Sequence, residues 1–272
     1  MGTLYLVATP IGNLEDMSAR AIRILREVRL IAAEDTRVTQ KLLTHYDIHS
    51  RPISYFEHNQ LSRMSRILTA LADGDVALVS DAGTPGLNDP GYELVRAALE
   101  AGHQVSPVPG PASPVAALVA SGLPTDAFLY LGYLPRKSTE RRAALTRVAQ
   151  LPYTLIFLES PHRLLDSLSD ALQVLGDRPA AVARELTKVH EEIWRGKLSE
   201  ASRYFAQPRG EFVLVIAGQP PAEATLWTQA EVRAAVRKRL KQGMPPTAVA
   251  AELAAVSGWK RRDLYKLASS RD

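Results

Sequence analysis

The chain contains no cysteine. Disulfides, thiolate metal sites and a cysteine nucleophile are therefore excluded, and the absence agrees with a reducing compartment. Aromatic residues are few, with three Trp, five Phe and nine Tyr in 272 residues. No apolar run approaches the roughly 18 residues that span a bilayer. Residues 1–8 run straight into an apolar stretch without the basic leader of a secretory signal. We therefore expect a cytoplasmic protein with no membrane segment. Chemical signatures are missing too. No G-x-G-x-x-G follows an apolar run, which disfavours a dinucleotide fold, and Gly196-Lys197 is followed by Leu198, so it is not a Walker loop. There is no G-x-S-x-G elbow of the hydrolase type. The six histidines (His45, His49, His58, His103, His162, His190) lack metal-ligand spacing, so no metal is expected.

What is present is ordinary globular composition, 46% hydrophobic and 23% charged. The net charge of +4 is unevenly placed. Residues 225–272 hold ten Lys/Arg and four Asp/Glu, a net +6, against −2 for the rest of the chain. That asymmetry points to a polyanion partner for the tail, although a solvated helix face carries similar charge.

Residues 3–8 read as a buried strand, 76–79 and 104–108 as strands, and 30–33 as a short apolar run. They alternate with helical spacing at 19–28, 38–45, 61–72 and 92–101. This alternation predicts a largely parallel α/β sheet. Ser113 is placed to cap a helix that has Pro114 in its first turn. Strand-like runs at 128–131, 153–158, 180–183, 193–196 and 212–217, with helices at 139–150 and 162–175, predict a second, mixed α/β domain. Residues 219–224 read as a linker. Beyond it only helical patterns occur, at 229–241, 246–256 and 259–268, the last two forming a helix-turn-helix-like pair. The expected division is 1–112, 113–219 and a basic helical domain at 225–272.

Three loops follow strands, where open α/β sheets bind ligands. The first, residues 9–14, contains Pro10 and Gly12. The second runs from Ser80 and Asp81 to Gly91, with three Gly and two Pro between Gly83 and Gly91. That density exceeds what a plain turn requires and suits close backbone approach to a ligand, with Asp81 as an acceptor. The third, residues 109–113, enters a helix whose backbone N–H groups suit a polar or anionic group.

The strings LYLVATPIGNLED (4–16), AAEDTR (32–37), ALVSDAGTPG (77–86), SGLPTDAF (121–128), ESPHR (159–163), RELTKVHEE (184–192) and GEFVLVIAG (210–218) stand in one order along the chain. In them the sequence resembles the tetrapyrrole-methylase superfamily. EDTR, ESPHR and RELTK resemble its RNA-modifying branch. The resemblance implies two α/β domains holding S-adenosylmethionine between them, a small helical appendage and a homodimer. It also implies 2′-O-methylation of a cytidine ribose in 16S rRNA at the decoding centre, with free rRNA or the 30S subunit as partner. It assigns the cofactor pocket to Pro10, Asp81, Gly83, Thr84, Pro85, Ser113 and Leu158.

A ribose hydroxyl is a weak nucleophile, so a general base is sought among Glu34, Asp35, Glu159, Glu185 and Lys188. The lysine qualifies only if its pKa is lowered, and each acid has a structural ion pair as its alternative role. Arg37, Arg184 and Lys188 are expected to meet RNA near the cleft. Lys260, Arg261 and Arg262 are expected to grip phosphates from the tail. Three competing readings share some of these features. A corrin-precursor methyltransferase would not need the basic tail. A diphthine-type protein methyltransferase is the second. A non-catalytic RNA-binding or ribosome-assembly module, the third, would not need the Pro10 and Asp81 loops.

Overall fold

The computed structural model describes residues 2–56, 60–220 and 227–270. Most of the linker expected at 219–224 lies outside the described residues. The first half of the chain runs β1 (Thr3–Val7), α1 (Ala19–Glu27), β2 (Leu30–Ala33), α2 (Thr36–His45), β3 (Ile53–Ser54), α3 (Gln60–Asp73), β4 (Val76–Val79), α4 (Tyr92–Glu100) and β5 (Gln104–Val108). Its five strands form one parallel sheet in the order β3-β2-β4-β1-β5. β4, four apolar residues buried throughout, shows why such a strand reads as a continuous apolar run. Its side chains alternate between two cores. Ala77 and Val79 join Ile24, Leu25 and Leu43 on one face, and Val76 and Leu78 join Ile67, Leu71 and Leu94 on the other. From β1 the chain crosses to β2 on one side, and from β4 it crosses to β5 on the opposite side. The loops leaving β1 and β4 therefore diverge at a topological switch point, where open α/β sheets take ligands.

The second sheet comprises β6 (Phe128–Tyr133), β7 (Thr154–Glu159), β8 (Pro179–Arg184), β9 (Glu192–Lys197) and β10 (Phe212–Ile216), in the order β6-β7-β10-β8-β9. Only β6 and β7 pair in parallel. One face packs under α6 (Ser138–Val148), α7 (Leu164–Leu175) and α8 (Leu198–Tyr204), with Phe157, Leu168 and Leu214 at the centre. The other packs on α5 (Ser113–Ser121) through Leu118, Val213 and Val215. The helix at α8 and the short strand β3 carry no clear sequence period, because seven and two residues are too short to display one. Ser113 does not cap α5. The Ala112 carbonyl accepts the first helical bond, from Ala116 N–H at 3.0 Å, so Ser113 is already inside the helix.

Residues up to Gln219 form one compact unit and Pro220–Asp272 a second. The second unit is three helices, α9 (Gln229–Lys241), α10 (Pro246–Ser257) and α11 (Arg261–Ser269), around Val232, Val236, Leu253 and Leu264. A capping box between Thr228 and Glu231 starts α9, and Gly258, at φ 70°, ends α10. Among the described residues, no helix is long and apolar enough to cross a membrane, and no group of three metal-ligating side chains gathers.

Candidate active site

The loops after β1 and β4 are joined by a two-way backbone bridge. Thr9 N–H donates to the Gly83 carbonyl at 2.8 Å, and Gly83 N–H donates to the Thr9 carbonyl at 3.0 Å. Gly83 holds φ 85°, a conformation a side chain would strain. Thr84 Oγ1 donates to the Pro111 carbonyl at 3.3 Å and ties in the third loop. Gly12 lets the first loop press on the turn at 185–188. A Cβ there would lie 2.4 Å from Lys188 Cγ and 2.8 Å from Thr187 Oγ1. In that turn Glu185 and Thr187 hold positive φ, 49° and 65°, the kind of backbone strain that gathers at functional sites.

These loops enclose a cavity of about 250 Å³. Glu34, Asp81, Asp89, Glu159 and Glu211 line it together with the apolar side chains of Ile11, Leu158, Leu186 and Val213. The start of α5, from Ala112 to Pro114, closes one side. A second cavity of about 200 Å³ shares Asp81 and is lined by Pro10, Leu14, Lys41 and Ser80. Together they fall within the size of small-ligand sites, roughly 300–1,000 Å³.

Two of the acids brace each other's loops. Glu34 Oε2 accepts from Asp81 N–H at 3.2 Å, and Asp81 Oδ1 accepts from Asp35 N–H at 2.9 Å. Burial pushes the Glu34 carboxyl up. The Asp81 N–H bond partly offsets this, and the charges of Asp81 and Asp35 add to the rise. Asp81 is raised as well, chiefly by burial. Asp89 is pushed up to about 6 by burial and by the negative charge of Glu34, against a hydrogen bond with Ser80. Sequence reasoning passed over Asp89; its only signal was its place in N-D-P-G at the end of the Gly/Pro-dense loop. Asn88, a position where the resembled family is expected to carry Ser or Ala, was given no role from the sequence. That residue holds φ 65°, and its Oδ1 accepts from the Tyr130 hydroxyl at 2.6 Å across to the second sheet.

The other candidate residues separate by position. Asp35 caps α2 through Arg37 N–H and pairs with the Arg37 guanidinium at 2.6 Å, which holds its carboxyl at about 2. A carboxylate so stabilised is a poor base. Glu185 is lowered by its bonds from Lys188 Nζ (2.9 Å) and Glu211 N–H (3.0 Å). Burial pulls Lys188 down, but its bonds to Glu185 and Glu211 outweigh that and leave it raised. The lowered pKa a lysine base needs is therefore not found. Glu159 is buried and bound to Arg163 (3.1 Å), Ser167 Oγ (2.5 Å) and Ser160 N–H (2.8 Å), a structural network. Of the expected cofactor residues, Asp81, Gly83, Thr84, Ser113 and Leu158 line the larger cavity, and Pro10 lines the smaller. Pro85 is buried and lines neither. Arg184 lines neither; its guanidinium is held by the Arg209 carbonyl (2.9 Å) and Glu192 (3.4 Å). Lys260, Arg261 and Arg262 stand exposed at the head of α11 in the second unit.

S-adenosylmethionine, the cofactor implied by the sequence resemblance, carries a sulfonium, an ammonium, a carboxylate and a flat base. The acidic lining side chains suit the two cations and the apolar ones suit the base. The uncapped N–H groups at the start of α5 suit the carboxylate. The residues present fit the group.

The profile of the family described as Tetrapyrrole (Corrin/Porphyrin) Methylases matches residues 3–202. The chain is 48% identical over 271 residues to a "Ribosomal RNA small subunit methyltransferase I" of Synechocystis sp., covering 98% of this chain and 97% of the relative. It is 46% identical over 272 residues to the protein of the same name from Halalkalibacterium halodurans, covering 98% and 94%. Its fold is similar to a uroporphyrin-III C-methyl transferase from Thermus thermophilus solved with S-adenyl homocysteine. That match has a TM-score of 0.54 and 22% identity and covers 79% of this chain and 97% of the other.

Proposed function

The chain belongs to the tetrapyrrole (corrin/porphyrin) methylases, and from its rRNA-named relatives within that family we infer that it methylates small-subunit ribosomal RNA with S-adenosylmethionine as donor. The reaction we assign is methylation of the ribose 2′-hydroxyl of a cytidine in 16S rRNA. The observation that carries it is the extent of the likeness. Relatives named for ribosomal RNA match about 98% of the chain, including the basic helical unit, whereas the uroporphyrin enzyme matches 79%. A corrin-precursor reading leaves that second unit without a task.

The cofactor, when bound, supplies an activated methyl group. The chain must hold the acceptor oxygen in line with it and keep water out. Residues 1–112 would supply the Asp81 and Pro10 loops. Residues 113–219 would supply Ser113, Leu158 and the wall around Leu186. Among the acids first considered as bases, Glu34 lines the cavity and has a raised pKa. It is the one suited to take the hydroxyl proton. The positive charge of Lys188 suits it to a substrate anion instead. Lys260, Arg261 and Arg262 would hold RNA phosphates. The same reading makes the protein a cytoplasmic homodimer, and exposed apolar side chains such as Val119 and Phe128 offer surface for a second copy.

The test is transfer of a labelled methyl group to 30S subunits or 16S rRNA, followed by mass spectrometry of the nucleosides. A 2′-O-methylated cytidine is expected. Label found only in a tetrapyrrole or a protein would refute the reading.

A further inference from the structure

The acid-lined cavity poses an electrostatic problem for an RNA substrate. Glu34, Asp81 and Asp89 suit a cationic cofactor but repel phosphates. Nearby cationic surface must offset that repulsion for a strand to come close. The structure provides such a surface on α2. Arg37, Lys41 and His45 recur every four residues and so share one helix face. With Arg51 they line an open groove of about 850 Å³. The remaining lining residues are Thr36, Gln40, Thr44 and Pro52, and none is acidic.

Two details tie this groove to the cavity. Arg37 is fixed at the head of α2 by its 2.6 Å pair with Asp35, whose N–H binds Asp81, and its side chain remains 86% exposed. Lys41 lines both the groove and the smaller cavity that holds Asp81 and Pro10. The basic face therefore ends at the site instead of lying elsewhere on the surface. Ten helical residues extend about 15 Å, long enough to meet more than one phosphate.

We propose that this face of α2 is the entry track for the substrate RNA strand, with Arg37, Lys41 and Arg51 holding its phosphates beside the Asp81 cavity. The proposal rests on the RNA reading given above. The track lies in the first compact unit, whereas the basic residues of α11 belong to the second.

The test uses the full chain carrying Lys41→Gln and Arg51→Gln together. Binding to a 16S rRNA fragment is followed by fluorescence anisotropy between about 50 and 200 mM salt, where phosphate contacts dominate. Two lost contacts to a single strand should flatten the log–log salt slope by about 1.4. The KM for rRNA should rise about tenfold. The Arg51→Gln single variant, whose side chain lines neither Asp81 cavity, should keep wild-type cofactor affinity and so report an intact fold. An unchanged slope and KM would overturn the track. So would a loss seen with assembled 30S subunits but not with naked rRNA, which would assign the face to a ribosomal protein. A wild-type chain that labels no rRNA would instead sink the underlying reading; the two failures are distinguishable because the slope is read from binding alone.

Discussion

The Glu34 carboxylate accepts the backbone N–H of Asp81 at 3.2 Å, while the Asp81 carboxylate accepts the N–H of Asp35 at 2.9 Å. Two loops 46 residues apart are thereby fixed by groups that also face the cavity. Asp81→Ala removes one brace and one negative charge, and cofactor affinity in calorimetry should fall about 10- to 100-fold. Glu34→Gln keeps an oxygen for the Asp81 N–H. It removes a negative charge but keeps that brace, so cofactor affinity should fall less than in Asp81→Ala while kcat drops. Unchanged cofactor affinity in Asp81→Ala would remove Asp81 from the pocket.

Asp89 yields a pH prediction. Its carboxyl titrates at about 6, above its usual 3.8. Below pH 6 it is neutral and above it negative, so affinity for a cationic ligand should rise between pH 5 and 7. Asp89→Asn should flatten that rise. The stability effect has its own sign. A folded pKa raised above the unfolded one favours the folded state at low pH, and the advantage is lost as pH rises from about 4 to 6. Asp89→Asn should therefore raise the ligand-free Tm at pH 7.5 and leave it nearly unchanged at pH 4. A variant less stable at pH 7.5 would contradict the assignment.

A buried ion cluster supports the second sheet. Asp170 Oδ2 meets Arg141 at 2.7 Å and its Oδ1 meets Arg142 at 2.6 Å, with both Arg141 and Asp170 only 4% exposed. Asp170→Ala leaves Arg141 buried without its partner and should cost about 3–5 kcal/mol, read as a fall in Tm of about 10 °C. Burial raises the Asp170 carboxyl, but bonds from Arg142, Ser138 and Arg141 outweigh it and leave the pKa lowered. Its stabilising contribution is thus present at neutral pH and lost as pH falls through that depressed value. The gap between variant and wild type should close in acid.

The second compact unit is tested by charge rather than deletion. Replacing Lys260, Arg261 and Arg262 with Gln should flatten the salt slope of RNA binding by about 2, at roughly 0.7 per single-strand phosphate. Cofactor affinity should stay at the wild-type value. An unaltered slope would release these residues from RNA contact.

Much of this molecule is legible in its amino-acid order. β4 and β10 read as strands because they are unbroken apolar runs, buried along their length, and the alternation with helices fixed an α/β class. The loop of Asp81, Gly83 and Thr84 stood out because its glycines and prolines exceed what a turn needs. The basic excess of residues 225–272 was countable. The tertiary structure decided which acids share a cavity, because that depends on strand order: β4 lies between β1 and β2, so Asp81 meets both Pro10 and Glu34. It also decided which way the carboxyls of Asp35 and Glu34 shift. Asp35 and Glu34 are neighbours in sequence, yet Arg37 draws one carboxyl down to about 2 while burial pushes the other up. Asp89 gained its significance only from burial beside Glu34, and Glu159 lost its candidacy to Arg163 and Ser167. Local pattern is set by neighbours along the chain, whereas desolvation and charge pairing are set by neighbours in space.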